Sequence, residues 1–126
     1  MLTGKIDDVL VDEKGLLVPS DYKSSGDPPR EDKYKYYELQ LNAYALMIQE
    51  KGYMTADHAF LLHYFPKDNL DTSINVELSF KLDKVYVDID KFKQIMKQIV
   101  DFLESPYPGK NYNCRKCAWL EKVCKL

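Results

Sequence analysis

The stretch "VPSDYKSSG", residues 18–26, carries two charged side chains two positions apart, Asp21 and Lys23, directly behind the apolar run Leu16, Leu17 and Val18. Alternate residues of an extended strand share a face, so Asp21 and Lys23 point one way and Tyr22 the other. Ending a buried strand in charge is costly unless a metal, a counter-charge or solvent matches it. Upstream, "GKIDDVLV" sets Asp7 and Asp8 among apolar neighbours. If the two segments pair antiparallel, one of these acids meets the Asp21 end. Two converging carboxylates bind a hard divalent cation such as Mg²⁺ through oxygen. A lysine beside them can orient or activate a water, which is the equipment of metal-assisted phosphodiester hydrolysis. Further on, "ELQLNAY" places Gln40 and Tyr44 four apart, on one face of a helix. Together they can hydrogen-bond a phosphate or a water. Each piece alone is weak, because D-x-K arises often by chance and a Gln/Tyr pair at helical spacing commonly lies on a surface or core edge.

The elements that must position these groups follow from hydrophobic periodicity. "LTGKIDDVLVDEKGLLVPSDYKS" predicts a hairpin, with arms from about Leu2 to Val11 and from Leu16 to Lys23 and a turn near Glu13–Gly15. "SSGDPPREDK" is a polar loop. A helix is predicted from about Tyr34 to Lys51, ended by Gly52. "AFLLHYF" predicts a continuously apolar strand, and "SINVELSFKL" and "KVYVDI" alternate as two more. "DIDKFKQIMKQIVDFLES" predicts a second helix capped by Asp90, with Phe92, Ile95, Met96, Ile99, Phe102 and Leu103 as its apolar stripe. The order β-β-α-β-β-β-α predicts an α/β fold, a central mixed sheet flanked by helices.

Composition bounds the rest. The 126 residues suffice for one domain with a modest core. A hydrophobic fraction of 45% and a charged fraction of 30% are those of an ordinary globular chain, and no apolar run approaches a membrane span. No signal-peptide layout opens the sequence, so a cytoplasmic location is the default expectation. Net charge is −2, which neither demands nor excludes a nucleic-acid partner. The tail from Gly109 is locally basic, with Lys110, Arg115, Lys116, Lys122 and Lys125 against Glu121, about +4; this is a solvated terminus or a phosphate-facing patch. Cys114, Cys117 and Cys124 are the only cysteines, in a C-x2-C-x6-C pattern. An odd count argues against a disulfide framework, and the clustering points to a metal. Of the histidines, His63 inside "FLLHYF" is expected to be a satisfied sheet residue and His58 to lie on the surface. Tyr34, Tyr36 and Tyr37 either stack on bases or pack helix to sheet. Trp119 is expected to pack the terminal turn against the body.

Taken in order, "GKID", "VPSDYKSS", "QLNAY" and the terminal C-x2-C-x6-C resemble the PD-(D/E)xK nuclease superfamily, most closely its RecB-like branch with the AddB-type recombination nucleases and the CRISPR-associated nucleases of spacer acquisition. The resemblance covers nearly the whole chain and implies a restriction-endonuclease-like fold. It implies a nuclease core over 1–108 and a basic cysteine tail over 109–126 packed on the same domain. It also implies that Asp7 and Asp21 hold Mg²⁺ or Mn²⁺, with the Tyr22 backbone carbonyl assisting. Lys23 then positions the nucleophilic water and stabilises developing charge, and Gln40 and Tyr44 form the Q-x-x-x-Y motif that helps engage DNA. Asp8 receives no role from the resemblance. The implied activity is metal-dependent DNA hydrolysis, on a single strand or an end, in repair, recombination or CRISPR and phage DNA processing, within a larger nuclease or helicase complex. Relatives hold a 4Fe-4S cluster with three C-terminal cysteines and one upstream, in an N-terminal helical segment that also carries a histidine. No fourth cysteine occurs here and the N-terminal part of the family domain is missing, so the chain is expected to be either a C-terminal fragment of a larger protein or a naturally shortened one. Two other readings stand beside this one. The first is an incomplete nuclease fold that binds nucleic acid or a partner without cutting, with a zinc or iron–sulfur tail. The second is a zinc knuckle on an unrelated α/β body.

Overall fold

The computed structural model describes residues 2–67, 76–106, 109, 111 and 113–124. The expected strand start at 73–75, the basic residues Lys110 and Lys125, and much of the "PYPGKNYN" break fall outside the described residues. The chain divides into two compact units, Met1–Lys93 and Gln94–Leu126.

The first unit holds a four-stranded mixed sheet in the order β1-β2-β3-β4. β1 (Asp8–Val11) runs antiparallel to β2 (Leu17–Ser24), with Asp8 opposite Ser20. β2 runs parallel to β3 (His58–Pro66), and β3 antiparallel to β4 (Leu78–Tyr86). The parallel pair requires a crossover. That crossover is the polar loop, a 3-10 turn at Lys33–Tyr37 and α1 (Glu38–Glu50). α1 buries Leu41, Tyr44, Ala45 and Ile48, the i, i+3, i+4, i+7 stripe of a helix lying on a sheet. They meet Ala59, Leu61, Val85 and Val87 from alternate positions of the sheet segments, with Ile6, Tyr34, Tyr37 and Met47 around them. Leu41 and Leu61 are fully buried, and each contributes about 1.5–3 kcal/mol. Asn42, buried in the same layer, donates to Glu38 O and accepts from the Asp88 amide, both at 2.8 Å.

Three expectations are corrected here. The first arm is a strand only from Asp8 onward, because beyond Ser20 the Tyr22 amide donates to the Asp7 side chain instead of to a ladder carbonyl. "SINVELSFKL" and "KVYVDI" form one strand over their described part. β3 offers an unbroken nine-residue partner from His58↔Tyr86 to Pro66↔Leu78, and no turn residue interrupts Leu82-Asp83-Lys84. The second helix, α2 (Ile89–Glu104), is capped by Asp88, whose Oδ1 accepts from the Lys91 amide at 2.9 Å; Asp90 lies inside its first turn.

The second unit contains most of α2 and a helix the sequence reading did not foresee, α3 (Arg115–Val123). Its residues are good helix formers apart from Cys117, Trp119 and Val123. Trp119 on α3 is 63% exposed, contrary to the packing role expected for it.

Candidate active site

Alternation along β2 puts Pro19, Asp21 and Lys23 on the face that α1 covers, and Tyr22 on the other. Asp21 is only 2% exposed. Gln40, reaching down from the first turn of α1, donates its Nε2 to Asp21 Oδ1 at 3.1 Å and to Tyr44 Oη at 2.6 Å. The i, i+4 spacing therefore aims an amide at the carboxylate and lets Tyr44 steady that amide. Lys23 Nζ lies 2.5 Å from Asp21 Oδ2. Oδ2 is thus a buried oxygen whose close partner among the described residues is the Lys23 ammonium. Lys23 also sits over the Tyr37 ring, 5.0 Å from its centroid.

Asp7 stands one step beyond the Asp8↔Ser20 pair, which sets it against Asp21 by register. Its Oδ2 accepts from the Tyr22 amide at 3.0 Å. That hydrogen bond, aided by Asp21 and Lys23, holds the Asp7 carboxyl below the usual carboxylate range. Asp21 moves the other way. Burial pushes its carboxyl up, the Asp7 charge adds to the rise, and Lys23 opposes it without prevailing. Burial pulls the Lys23 ammonium down, but its pairing with Asp21 outweighs that, and the net direction is upward. Lys23 thus keeps its proton at neutral pH.

Asp8 is settled by the same register. It faces away, and Tyr22 Oη donates to its Oδ2 at 2.9 Å, so it does not compete with Asp7. Gly4 shows why a glycine precedes this acid. A Cβ there would come within 3.0 Å of Met47 Cε and 3.2 Å of Tyr44 Cε1, so a larger residue would make these side chains of α1 shift by a few tenths of an ångström.

The donor set suits a hard divalent cation. It offers two carboxylates from adjacent chain segments, one of them buried, beside a backbone segment at Tyr22. No third His, Cys, Asp or Glu side chain joins them among the described residues.

The family model of the PD-(D/E)XK nuclease superfamily matches residues 1–125. The chain belongs to this superfamily. No curated protein and no solved structure matches it. The mixed sheet with its flanking helices is the α/β, restriction-endonuclease-like architecture expected of a PD-(D/E)XK nuclease domain, whose substrate is nucleic acid. No helix among the described residues is long and apolar enough to cross a membrane.

Among the described residues the cysteines of this superfamily member are free thiols. Cys114 caps α3 and lies one turn from Cys117, whose amide and thiol, together with the Lys116 amide, lower the Cys114 thiol. Cys124 lies seven residues beyond Cys117 at the other end of α3, about 10 Å along the axis. Among the described residues no group of three His, Cys, Asp or Glu side chains is placed to hold a metal ion, so neither an iron–sulfur nor a zinc reading of the cysteines gains support.

Sequence reading also missed the state of His63. It is 1% exposed, yet neither ring nitrogen has a hydrogen-bond partner among the described residues. The three tyrosines divide: Tyr34 and Tyr37 pack on the core, and Tyr36 is 77% exposed. His58 is half-buried and its Nδ1 lies 3.0 Å from Asp57 Oδ1.

Proposed function

We propose that this domain is a metal-dependent deoxyribonuclease whose centre is Asp7, Asp21, Lys23, Gln40 and Tyr44. The observation that carries the reading is the buried Asp21 carboxylate, set against Asp7 by strand register and paired with the Lys23 ammonium. Asp7, Asp21 and the Tyr22 carbonyl would hold Mg²⁺ or Mn²⁺. Such a cation lowers the pKa of a water and screens charge on the phosphate. Asp7 is ionised across the neutral range because the Tyr22 amide holds its pKa down. Lys23, protonated, donates toward negative charge developing on the phosphoryl oxygens and is not the base. Gln40 fixes the rotation of the Asp21 carboxylate, and Tyr44 fixes Gln40.

Labelled single-stranded DNA with Mn²⁺ tests the reading. The wild-type chain cleaves it, and Lys23→Ala loses at least about 10²-fold in rate while keeping its circular dichroism spectrum. A Lys23→Ala variant as fast as wild type removes Lys23 from the chemistry. A second reading, a nuclease fold that binds DNA without cutting it, is favoured by one observation: no third acid or histidine joins Asp7 and Asp21 among the described residues. Binding with no cleavage in any divalent metal selects it.

A further inference from the structure

The loop after β2 and the strand beside it enclose a cavity of about 420 Å³ in the first unit, lined by Ser24, Arg30, Lys33, Tyr36, Tyr37 and His63 among others. The register explains its floor. On the face that α1 covers, His63 pairs across the sheet with Lys23 on β2 and Lys81 on β4. A histidine is thus buried between two lysines, with Lys33 in the wall above. All three lysines act on it electrostatically, as does Asp83. Asp83 Oδ2 stands 3.9 Å from His63 Nδ1, beyond hydrogen-bond reach, and is itself without a hydrogen-bond partner among the described residues. Neither ring tautomer is therefore fixed by a hydrogen bond among the described residues, and His63 lines the cavity. Leaving a buried imidazole unbonded is costly unless something else supplies the partner.

The other walls say what that partner is. Arg30 and Lys33 are opposed by Asp27 and Asp32, so the cavity does not trap anions by bulk charge. Selectivity must come from aimed groups. Tyr36 presents an exposed ring, with Lys33 Nζ 5.1 Å from its centroid. The Ser25 hydroxyl is taken by Asp27 O at 2.6 Å. Directed donors for a phosphate beside an aromatic face for a base are the complement of a nucleotide. The cavity also adjoins the candidate active site. The Tyr37 ring lies 5.8 Å from the His63 ring and 5.0 Å from Lys23 Nζ.

We propose that this cavity is a nucleotide subsite, seating one nucleotide of the substrate strand next to the bond to be cut, with a His63 ring N–H on a phosphate oxygen and the Tyr36 ring against the base. It rests on the nuclease reading above. The phosphate is either terminal or internal to the strand, and both present the same oxygens.

The chain has two histidines, so the imidazole resonances give a clean test. The metal-free protein is titrated with thymidine 5′-monophosphate, thymidine and inorganic phosphate. The His63 ring signals shift saturably with the nucleotide and at least about tenfold more weakly with either half, while those of His58 stay in place. Immobile His63 signals, equal shifts at both histidines, or equal response to inorganic phosphate overturn the proposal. Tyr36→Ala and Arg30→Ala, both at exposed side chains, each raise KM for single-stranded DNA about tenfold; unchanged KM in both sinks the subsite even if a His63 variant fails to fold. A 5′-phosphorylated strand, its 5′-hydroxyl counterpart and a closed single-stranded circle separate the sources. An effect confined to the phosphorylated end assigns a terminal phosphate, and an equal effect on the circle assigns an internal one. A wild-type chain that shifts His63 with nucleotide but cuts nothing ends the nuclease reading and leaves the binding site. One that cuts without moving His63 does the reverse.

Discussion

Asp21 and Asp7 sit side by side and respond to pH in opposite senses. Burial raises the Asp21 carboxyl in the folded chain, so the folded state binds its proton more tightly than the unfolded state does. Its contribution to stability therefore declines as pH climbs from the unfolded value of about 3.9 through the higher folded value. Asp7, lowered by the Tyr22 amide, contributes stability that is present above about 3.9 and lost as pH falls through its lower folded value. Asp21→Asn is accordingly expected to melt higher than wild type at pH 7 without metal, with the difference closing below about pH 4. Melting curves by circular dichroism check this, and a lower melting point at pH 7 contradicts it. Gln40 acts through Asp21, so Gln40→Ala is expected to raise the half-saturating Mn²⁺ concentration about 10- to 100-fold. Titrating cleavage rate against Mn²⁺ reads that number, and an unchanged midpoint removes the positioning role. The types and spacing of these residues were legible in the chain itself. The direction of each pKa was not, because it depends on how deeply each carboxyl is buried.

Elements set the limits of that reading. Strand alternation correctly separated Asp21 and Lys23 from Tyr22, and the 3.6-residue period brought Gln40 and Tyr44 to one face. The end of α1 was legible for a local reason. Gly52 has φ +87°, its amide donates to Gln49 O at 2.8 Å, and the Tyr53 amide donates to Ile48 O at 3.3 Å, a Schellman closure. Gly52→Ala is expected to cost about 1 kcal/mol, and Gly52→Asn less, as a lower urea midpoint at unchanged slope. Equal stability of the alanine variant shows that the closure adds nothing. The errors have physical sources too. β1 is shorter than its apolar pattern because a side-chain carboxylate took the amide that would have extended the ladder. β4 is longer than its pattern because a continuous partner carried it through Asp83 and Lys84.

For the molecule as a whole, a cation held as proposed by Asp7 and Asp21 would couple the site to stability. At a hundredfold excess over its dissociation constant, Mn²⁺ bound only to the folded state adds about 2.7 kcal/mol, roughly ten degrees in melting temperature for a chain of this size. EDTA reverses the rise and Asp21→Asn abolishes it; a rise that survives in the variant places the ion elsewhere. The net charge of −2 makes no general anion binder, so affinity for a nucleic acid has to be built locally. Residue order alone determined the α/β class, the strand that delivers Asp21 and Lys23, and the helix face that carries Gln40 and Tyr44, because alternation and helical period are properties of short segments. Tertiary structure alone decided that Asp7 and not Asp8 faces Asp21, and that His63 is buried without a hydrogen-bond partner among the described residues, between Lys23 and Lys81. Those outcomes depend on register between strands and on which groups end up excluded from water, and no local spacing encodes either.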